Sequence, residues 1–326
     1  MSVLVRVLGS LVLLTGAVAA APQGLDLEAV NAAGFPEKPG KGVSPARVKA
    51  QVLLDRARFS PGVIDGRNGE NMQNAVKAFE GARGLRADGE LDEELWAKLN
   101  ETSTDPALVT YTIADEDVRG PFATIPEKME EQAELKRLSY SSPEELLAEK
   151  FHMDVDLLKD LNPGKRFDKA GETIVVANVA PGDGDEEKRD IDKIEVVKSE
   201  HILRVLGKDG EVIATYPASI GSDEKPAPSG SHSVRAVARN PTYTYNPDYA
   251  FKGVKANEKF VIKPGPNNPV GSTWIGLSVE SFGIHGTPDP EKVGKAYSNG
   301  CVRLTNWDVE ELAKMVKKGT PVVFME

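Results

Sequence analysis

Ser298-Asn299-Gly300-Cys301-Val302-Arg303-Leu304-Thr305-Asn306-Trp307-Asp308, with Ile284-His285-Gly286-Thr287-Pro288 shortly before it, is the stretch around which the chain is organised. Cys301 is the only cysteine in the 326 residues. It has no intrachain disulfide partner, so it is either an inert buried side chain or a nucleophile. Gly300 lets the backbone approach a substrate, Arg303 adds fixed positive charge, and His285 can act as a base if a hairpin brings the two segments together. Only a thiolate attacks a carbonyl, and a free thiol is little ionised near neutral pH. An imidazole that accepts its proton therefore gains orders of magnitude in rate.

The run His285-Gly286-Thr287, followed by Ser298-x-Gly300-Cys301-Val302-Arg303-Leu304-x-Asn306-x-Asp308, resembles the signature of the L,D-transpeptidase catalytic domain, a family of cell-wall cross-linking enzymes. The resemblance implies that Cys301 is the nucleophile and His285 the base. Cys301 would attack the carbonyl at the L-centred end of a peptidoglycan tetrapeptide stem, releasing D-alanine and leaving a thioester. A side-chain amine of a second stem would then give a 3-3 cross-link, or a lysine of an outer-membrane lipoprotein a wall anchor. Carbapenems are expected to acylate Cys301 for the same reason. With water as acceptor the enzyme would be an L,D-carboxypeptidase or a cross-link hydrolase. A non-catalytic wall-binding protein is the reading from another class.

Backbone N–H groups around Gly300 and Cys301 are the expected oxyanion donors. Arg303 holds either a substrate carboxylate or the local loop. Ser298 is expected to hydrogen-bond at the site, and with Asn299, Gly286 and Thr287 of the motif it is a candidate oxyanion or substrate contact. Asn267-Asn268-Pro269-Val270-Gly271-Ser272-Thr273-Trp274 resembles the loop lining the family's cleft, which makes Trp274 a candidate substrate contact. Asn299 stands where the family often has a second histidine, so that imidazole's role is absent or passes to an amide. No acid accompanies His285 closely, and a backbone carbonyl is the alternative that would orient its ring. Asn306 or Asp308 is expected to cap the helix that follows. No cofactor is expected, and no metal ligands occur at suitable spacing.

Around this stretch, residues 191–326 read as a mostly-β catalytic domain, a barrel or sandwich. Ile202 to Leu206 and Val212 to Gly221 flank Lys208-Asp209-Gly210-Glu211, the pattern of an antiparallel hairpin. Val309 to Val316 is the one clear helix, and Pro321 to Phe324 a last strand. Tyr243, Tyr245, Tyr249 and Phe251 lie on a long insert that is either a flap over the substrate or a small satellite core.

Upstream, Ser44-Pro45 and Ser142-Pro143 read as helix starts, a hydroxyl cap before a proline in the first turn, and residues 44–100 carry apolar residues at helical spacing in three runs. Gln51, Asp65-Gly66, Ala75-Val76-x-x-Phe79, Asp88-Gly89 and Trp96-x-x-Leu99 resemble a peptidoglycan-binding-like three-helix domain, with Phe79 and Trp96 either core or binding residues. Residues 109–179 resemble a βααβ lysin-motif fold through Leu146 to Phe151, Leu161-Asn162-Pro163 and Gly171-Glu172-Thr173-Ile174. Its first strand comes either from Tyr111-Thr112-Ile113, with Asp115 to Arg137 inserted, or from Arg137 to Tyr140. Residues 22–43 and 180–190 read as linkers.

Residues 1–21 have the form of a secretory signal peptide: Arg6, a short apolar run, then small residues at Ala17 and Ala19. The protein is thus expected to be exported, periplasmic or wall-associated, with no transmembrane segment. A net charge of −10 argues against nucleic acid as partner. Peptidoglycan, as donor and amine-acceptor stems, is the expected partner.

Overall fold

The computed structural model describes residues 24–35, 42–179, 191–222, 224–249, 256–298 and 300–326. The signal-peptide stretch, the 180–190 linker, Asn299 and Phe251 lie outside the described residues. Among the described residues, no helix is long and apolar enough to cross a membrane.

Part of the expected 22–43 linker is instead a short helix, α1 (Leu27–Asn31), because Val30 is buried in the core that holds Leu147 and Leu158; the first module then has three helices: α2 (Pro45–Arg56), α3 (Glu70–Ala82) and α4 (Glu93–Thr102). Ser44 caps α2 by accepting the Arg47 N–H, with Pro45 at the first helical position, as its sequence predicts. Phe79, Leu95, Trp96 and Leu99 close the core with Leu53 and Leu54. Gln51 organises the Asp65-Gly66 turn: its Oε1 accepts both N–H groups, at 3.1 and 2.7 Å.

The middle module runs β1 (Leu108–Thr112), α5 (Asp115–Arg119), α6 (Met129–Gln132), α7 (Pro143–Lys150), α8 (Val155–Asp160) and β2 (Thr173–Ala177). β1 and β2 pair antiparallel from Leu108↔Ala177 to Thr112↔Thr173, so the opening strand is the earlier of the two candidates and residues 113–142 are the insertion. Asn162 locks the end of α8 to β2 by donating to the Val175 carbonyl and accepting the Val175 N–H.

The catalytic module comprises β3 (Ile191–Val197), β4 (Ile202–Gly207), β5 (Val212–Pro217), β6 (Ser219–Ile220), β7 (Gly230–Arg239), β8 (Tyr243–Tyr245), β9 (Phe260–Ile262), β10 (Thr273–Leu277), β11 (Gly283–His285), β12 (Val302–Arg303), α9 (Asn306–Met315) and β13 (Pro321–Met325). Nine strands pair in the order β5-β4-β3-β13-β7-β10-β11-β12-β6. The outermost two, β5 and β6, are separated in sequence only by Ala218, so the sheet curls back on itself like a barrel. The single strand expected over 212–221 is thus two short strands at opposite ends of the sheet. β7 turns the corner: residues 230–233 pair with β13 and residues 234–239 with β10. Ile194, Leu203, Tyr216, Ile275, Ile284, Val302 and Leu312 fill the interior, each apolar side chain worth roughly 2 kcal/mol when fully buried.

The modules interlock. Val48, Val52 and Ile64 of the first share a core with Leu147, Met153 and Leu158 of the middle one. The Ser60 N–H donates to the Thr215 carbonyl at 2.9 Å, and Thr215 returns its own N–H to Arg58 at 2.8 Å. At the centre, His152 bonds Asp55 at 2.9 Å and stacks on Trp307 of α9, bringing all three modules together.

Candidate active site

β11 and β12 pair in parallel, with Ile284 opposite Val302 and His285 opposite Arg303. Side chains alternate along strands, so Ile284 and Val302 enter the core while His285, Arg303 and, one repeat earlier, Cys301 share the other face. A parallel crossover therefore does what a hairpin was expected to do. β10 extends the same face, since Trp274 is opposite His285 and the two rings stack at 5.5 Å and 15°. Gly276 and Gly283 make room for the indole: a Cβ on Gly283 would lie 2.5 Å from Trp274 Cζ2. Trp274 thus braces the imidazole, a role beyond the substrate contact expected of it.

His285 Nδ1 lies 2.6 Å from the Gly286 carbonyl. A carbonyl only accepts, so Nδ1 carries the proton and Nε2 is the basic nitrogen. This is the backbone orienter left open by the sequence. Burial, then the Arg303 charge, push the imidazole pKa down to about 3 against the pull of that carbonyl. Burial also raises the Cys301 thiol, partly offset by the Gly283 N–H and by Arg303. At neutral pH the pair is uncharged, and Cys301 as a residue is half-buried.

Ser298 hydrogen-bonds at the site, but within the Cys301 loop itself, and the Gly300 N–H is turned inward to it. Ser298 Oγ accepts the Gly221 N–H at 2.7 Å and the Gly300 N–H at 3.2 Å, and donates to the Cys301 carbonyl. Ser298 therefore holds the nucleophile's loop, and the Gly300 N–H is committed to it. Gly300 has φ +104, with the Phe282 ring 2.9 Å from where a Cβ would be, so its lack of a side chain is what the turn requires.

Gly286 is likewise a support. Its N–H bonds the Thr273 carbonyl at 3.2 Å, its own carbonyl holds His285, and a Cβ would strike Asn306 Oδ1. Thr287 is buried and accepts the Asp289 N–H. The cap of α9 is Thr305, which accepts the Asp308 N–H at 3.2 Å; Asn306 and Asp308 are not caps. Asn306 instead receives the Ser272 N–H and donates to Glu149 of the middle module at 2.9 Å.

Arg303 lines a cleft of about 660 Å³ with Thr287, Pro288 and Asp289. Its Nε is buried without a hydrogen-bond partner, and burial lowers its pKa against Asp289 and Cys301. Tyr243 is within electrostatic reach of the sulfur: burial, then the Cys301 charge, raise its hydroxyl pKa. Its strand β8 pairs with β9, and Tyr245 stacks on Phe260 at 4.7 Å. The aromatic insert thus forms a satellite core at Tyr245 and Phe260, with Tyr243 within electrostatic reach of Cys301. Sequence reasoning missed the opposite wall of the cleft, which Thr124, Ile125, Met129 and Gln132 of the middle module supply. Among the described residues, no three His, Cys, Asp or Glu side chains group as metal ligands.

The chain matches the family model of the L,D-transpeptidase catalytic domain over residues 191–324 and that of a peptidoglycan binding domain over residues 43–99. It is 30% identical over 183 residues to the protein of Bacillus licheniformis named L,D-transpeptidase YkuD, covering 55% of this chain and 90% of that protein. The chain belongs to the L,D-transpeptidase family. The similarity to that relative reaches upstream of the catalytic domain, since 55% of the chain exceeds the stretch from Ile191 to Glu326. The Bacillus subtilis L,D-transpeptidase named YkuD is 33% identical over 117 residues, which is 36% of this chain and 56% of that protein. A crystal structure of L,D-transpeptidase 3 from Mycobacterium tuberculosis aligns with a TM-score of 0.35 and 17% identity, over 48% of this chain and 75% of that one. An L,D-transpeptidase domain thus follows a peptidoglycan binding domain in this chain, which suggests peptidoglycan as its substrate.

Proposed function

We propose that the protein is an exported, cysteine-dependent L,D-transpeptidase acting on peptidoglycan tetrapeptide stems through a thioester. The observation that carries this reading is that His285, Cys301 and Arg303 fall on one face of the β11/β12 pair, with the imidazole locked so that Nε2 is basic. As Cys301 Sγ attacks the carbonyl at the L-centred end of the stem, its proton passes to His285 Nε2. The C–N bond to D-alanine breaks, and the departing nitrogen takes that proton. An amine of a second stem, or of a wall-anchored lipoprotein, then attacks the thioester, gives up a proton through Nε2, and Cys301 leaves as the thiol. Because the resting pair is uncharged, proton transfer accompanies attack rather than preceding it. With the Gly300 N–H committed to Ser298, the Cys301 N–H is the donor assigned to the oxyanion.

The test is incubation of the protein with purified disaccharide-tetrapeptides and mass spectrometry of the products. Cross-linked dimers and released D-alanine are expected. Tripeptides without dimers would mean that water is the acceptor and the protein a carboxypeptidase. An unchanged substrate pool would leave only a wall-binding role.

A further inference from the structure

The insertion in the middle module is built into the catalytic domain. The Leu138 N–H donates to the Pro264 carbonyl at 3.0 Å, and the Asn267 N–H donates to the Leu138 carbonyl at the same distance. The Asn267 amide adds bonds to the Ser139 carbonyl at 2.9 Å and to Glu145 at 2.7 Å. Gly265 fits this seam closely: it has φ +155, and a Cβ there would sit 1.9 Å from the Leu138 carbonyl oxygen. These bonds fix residues 122–140 along one side of the cleft that begins at Arg303.

The two walls complement each other chemically. Thr287, Asp289 and Arg303 form the polar wall, while Ile125, Met129 and Gln132 face them with two apolar side chains and an amide. Arg303 brings a fixed guanidinium charge to the cleft lining, which suits a carboxylate. Cys301 and Arg303 are one strand repeat apart, about 7 Å along the chain. A peptide attacked at Cys301 therefore has room, on the Arg303 side of the sulfur, for a carboxylate-bearing end between the two walls.

We propose that the middle module's insertion is the second wall of the peptide-binding cleft, and that Ile125, Met129 and Gln132 determine how tightly a carboxylate-bearing stem peptide is held. This rests on the transpeptidase reading for the identity of the peptide, though not for the existence of the cleft. The middle module is then part of the substrate site as well as a tether, and affinity for the stem depends on a segment outside the catalytic domain.

The test uses the full-length protein carrying Cys301→Ala, which binds without turnover, and isothermal titration with a disaccharide-tetrapeptide. Adding Ile125→Ser, Met129→Ser and Gln132→Ala together is expected to raise Kd about tenfold. In the Cys301 protein the same three changes should raise KM by a similar factor, with kcat within about twofold. The alkylation rate of Cys301 by iodoacetamide should stay unchanged, which shows an intact nucleophile. Gly265→Val, which forces the seam apart, should reproduce the Kd increase without altering any lining residue. An unchanged Kd in the triple variant, with its melting transition intact, overturns the proposal. A raised Kd in a protein that makes no product keeps the cleft and overturns the transpeptidase reading instead.

Discussion

Two regions meet at Arg303 and are built by opposite means. On one side Cys301 and His285 come from neighbouring strands of a single domain, fixed by the β11/β12 register. On the other, Thr287 and Asp289 face Ile125 and Met129, which belong to a different module. The chemistry is thus local and tolerates little change, whereas the cleft depends on a seam between modules and can vary without disturbing the nucleophile. Substitutions on the two sides should fail differently: kcat on the first, KM on the second.

The largest effect tests the first side. Cys301→Ala is expected to lower dimer formation at least about 1000-fold and to abolish the mass increase on incubation with a carbapenem, read on the intact protein. His285→Gln should lower kcat about 100- to 10,000-fold with little change in KM. An equal loss in KM would instead make the imidazole a binding group. The thiol's pH profile sharpens the point. With the imidazole neutral down to about pH 3 and the thiol raised by burial, alkylation of Cys301 should climb through the alkaline range without a step near pH 6. A plateau already reached at pH 6 would reveal a preformed ion pair and overturn that assignment.

The second side should show its weakness in stability. Burial, opposed by bonds from Asn306 and Tyr140, raises Glu149 to about 8, and burial likewise raises Asp308 to about 8. Both carboxyls are therefore protonated in the folded protein at pH values where the unfolded chain has ionised them. The folded state binds more protons between about pH 4 and pH 8, so stability falls as pH rises through that window. His152, whose charge is opposed by burial but favoured by Asp55, Asp308 and Glu311 together, also has a raised pKa. Its contribution is present below its unfolded pKa and lost as pH rises through the folded one. A fall in Tm of about 5–10 °C from pH 5 to pH 8 is expected by calorimetry. Glu149→Gln should flatten the slope, and an unchanged slope would remove Glu149 from the account. The smallest effect is local: Thr305→Ala removes the cap of α9 and should cost about 1 kcal/mol in denaturant unfolding, without selective loss of either kcat or KM.

Much of this was legible along the chain because its signals are short-range. Ser44-Pro45 and Ser142-Pro143 start helices where the sequence places them, since a cap needs only the next few residues. The turn at Asp209-Gly210 joins β4 to β5 for the same reason, with Gly210 at φ +78. His285 and Cys301 stand out because their residue types carry the chemistry wherever the fold puts them. Less legible were Ser298, Gly300 and Gly286, whose polar groups were read as facing a substrate. Their partners, Gly221, Thr273 and Asn306, come from other elements, and a motif does not say which way an N–H points. The cap at Thr305 was missed because Asn306 and Asp308 are equally good cap residues by type. Asn306 is drawn instead toward a carboxylate in another module.

By itself, then, the sequence determined the family, a peptidoglycan binding domain ahead of a catalytic domain, and Cys301 and His285 as the candidate pair, because residue chemistry, spacing and local turn preferences survive in a one-dimensional reading. Only the tertiary structure decided what orients the imidazole, how the sheet curls so that its outermost strands adjoin in the chain, and which module faces Arg303 across the cleft. Those outcomes rest on hydrogen bonds and contacts between residues far apart in sequence, whose geometry exists only once the separate segments have packed together.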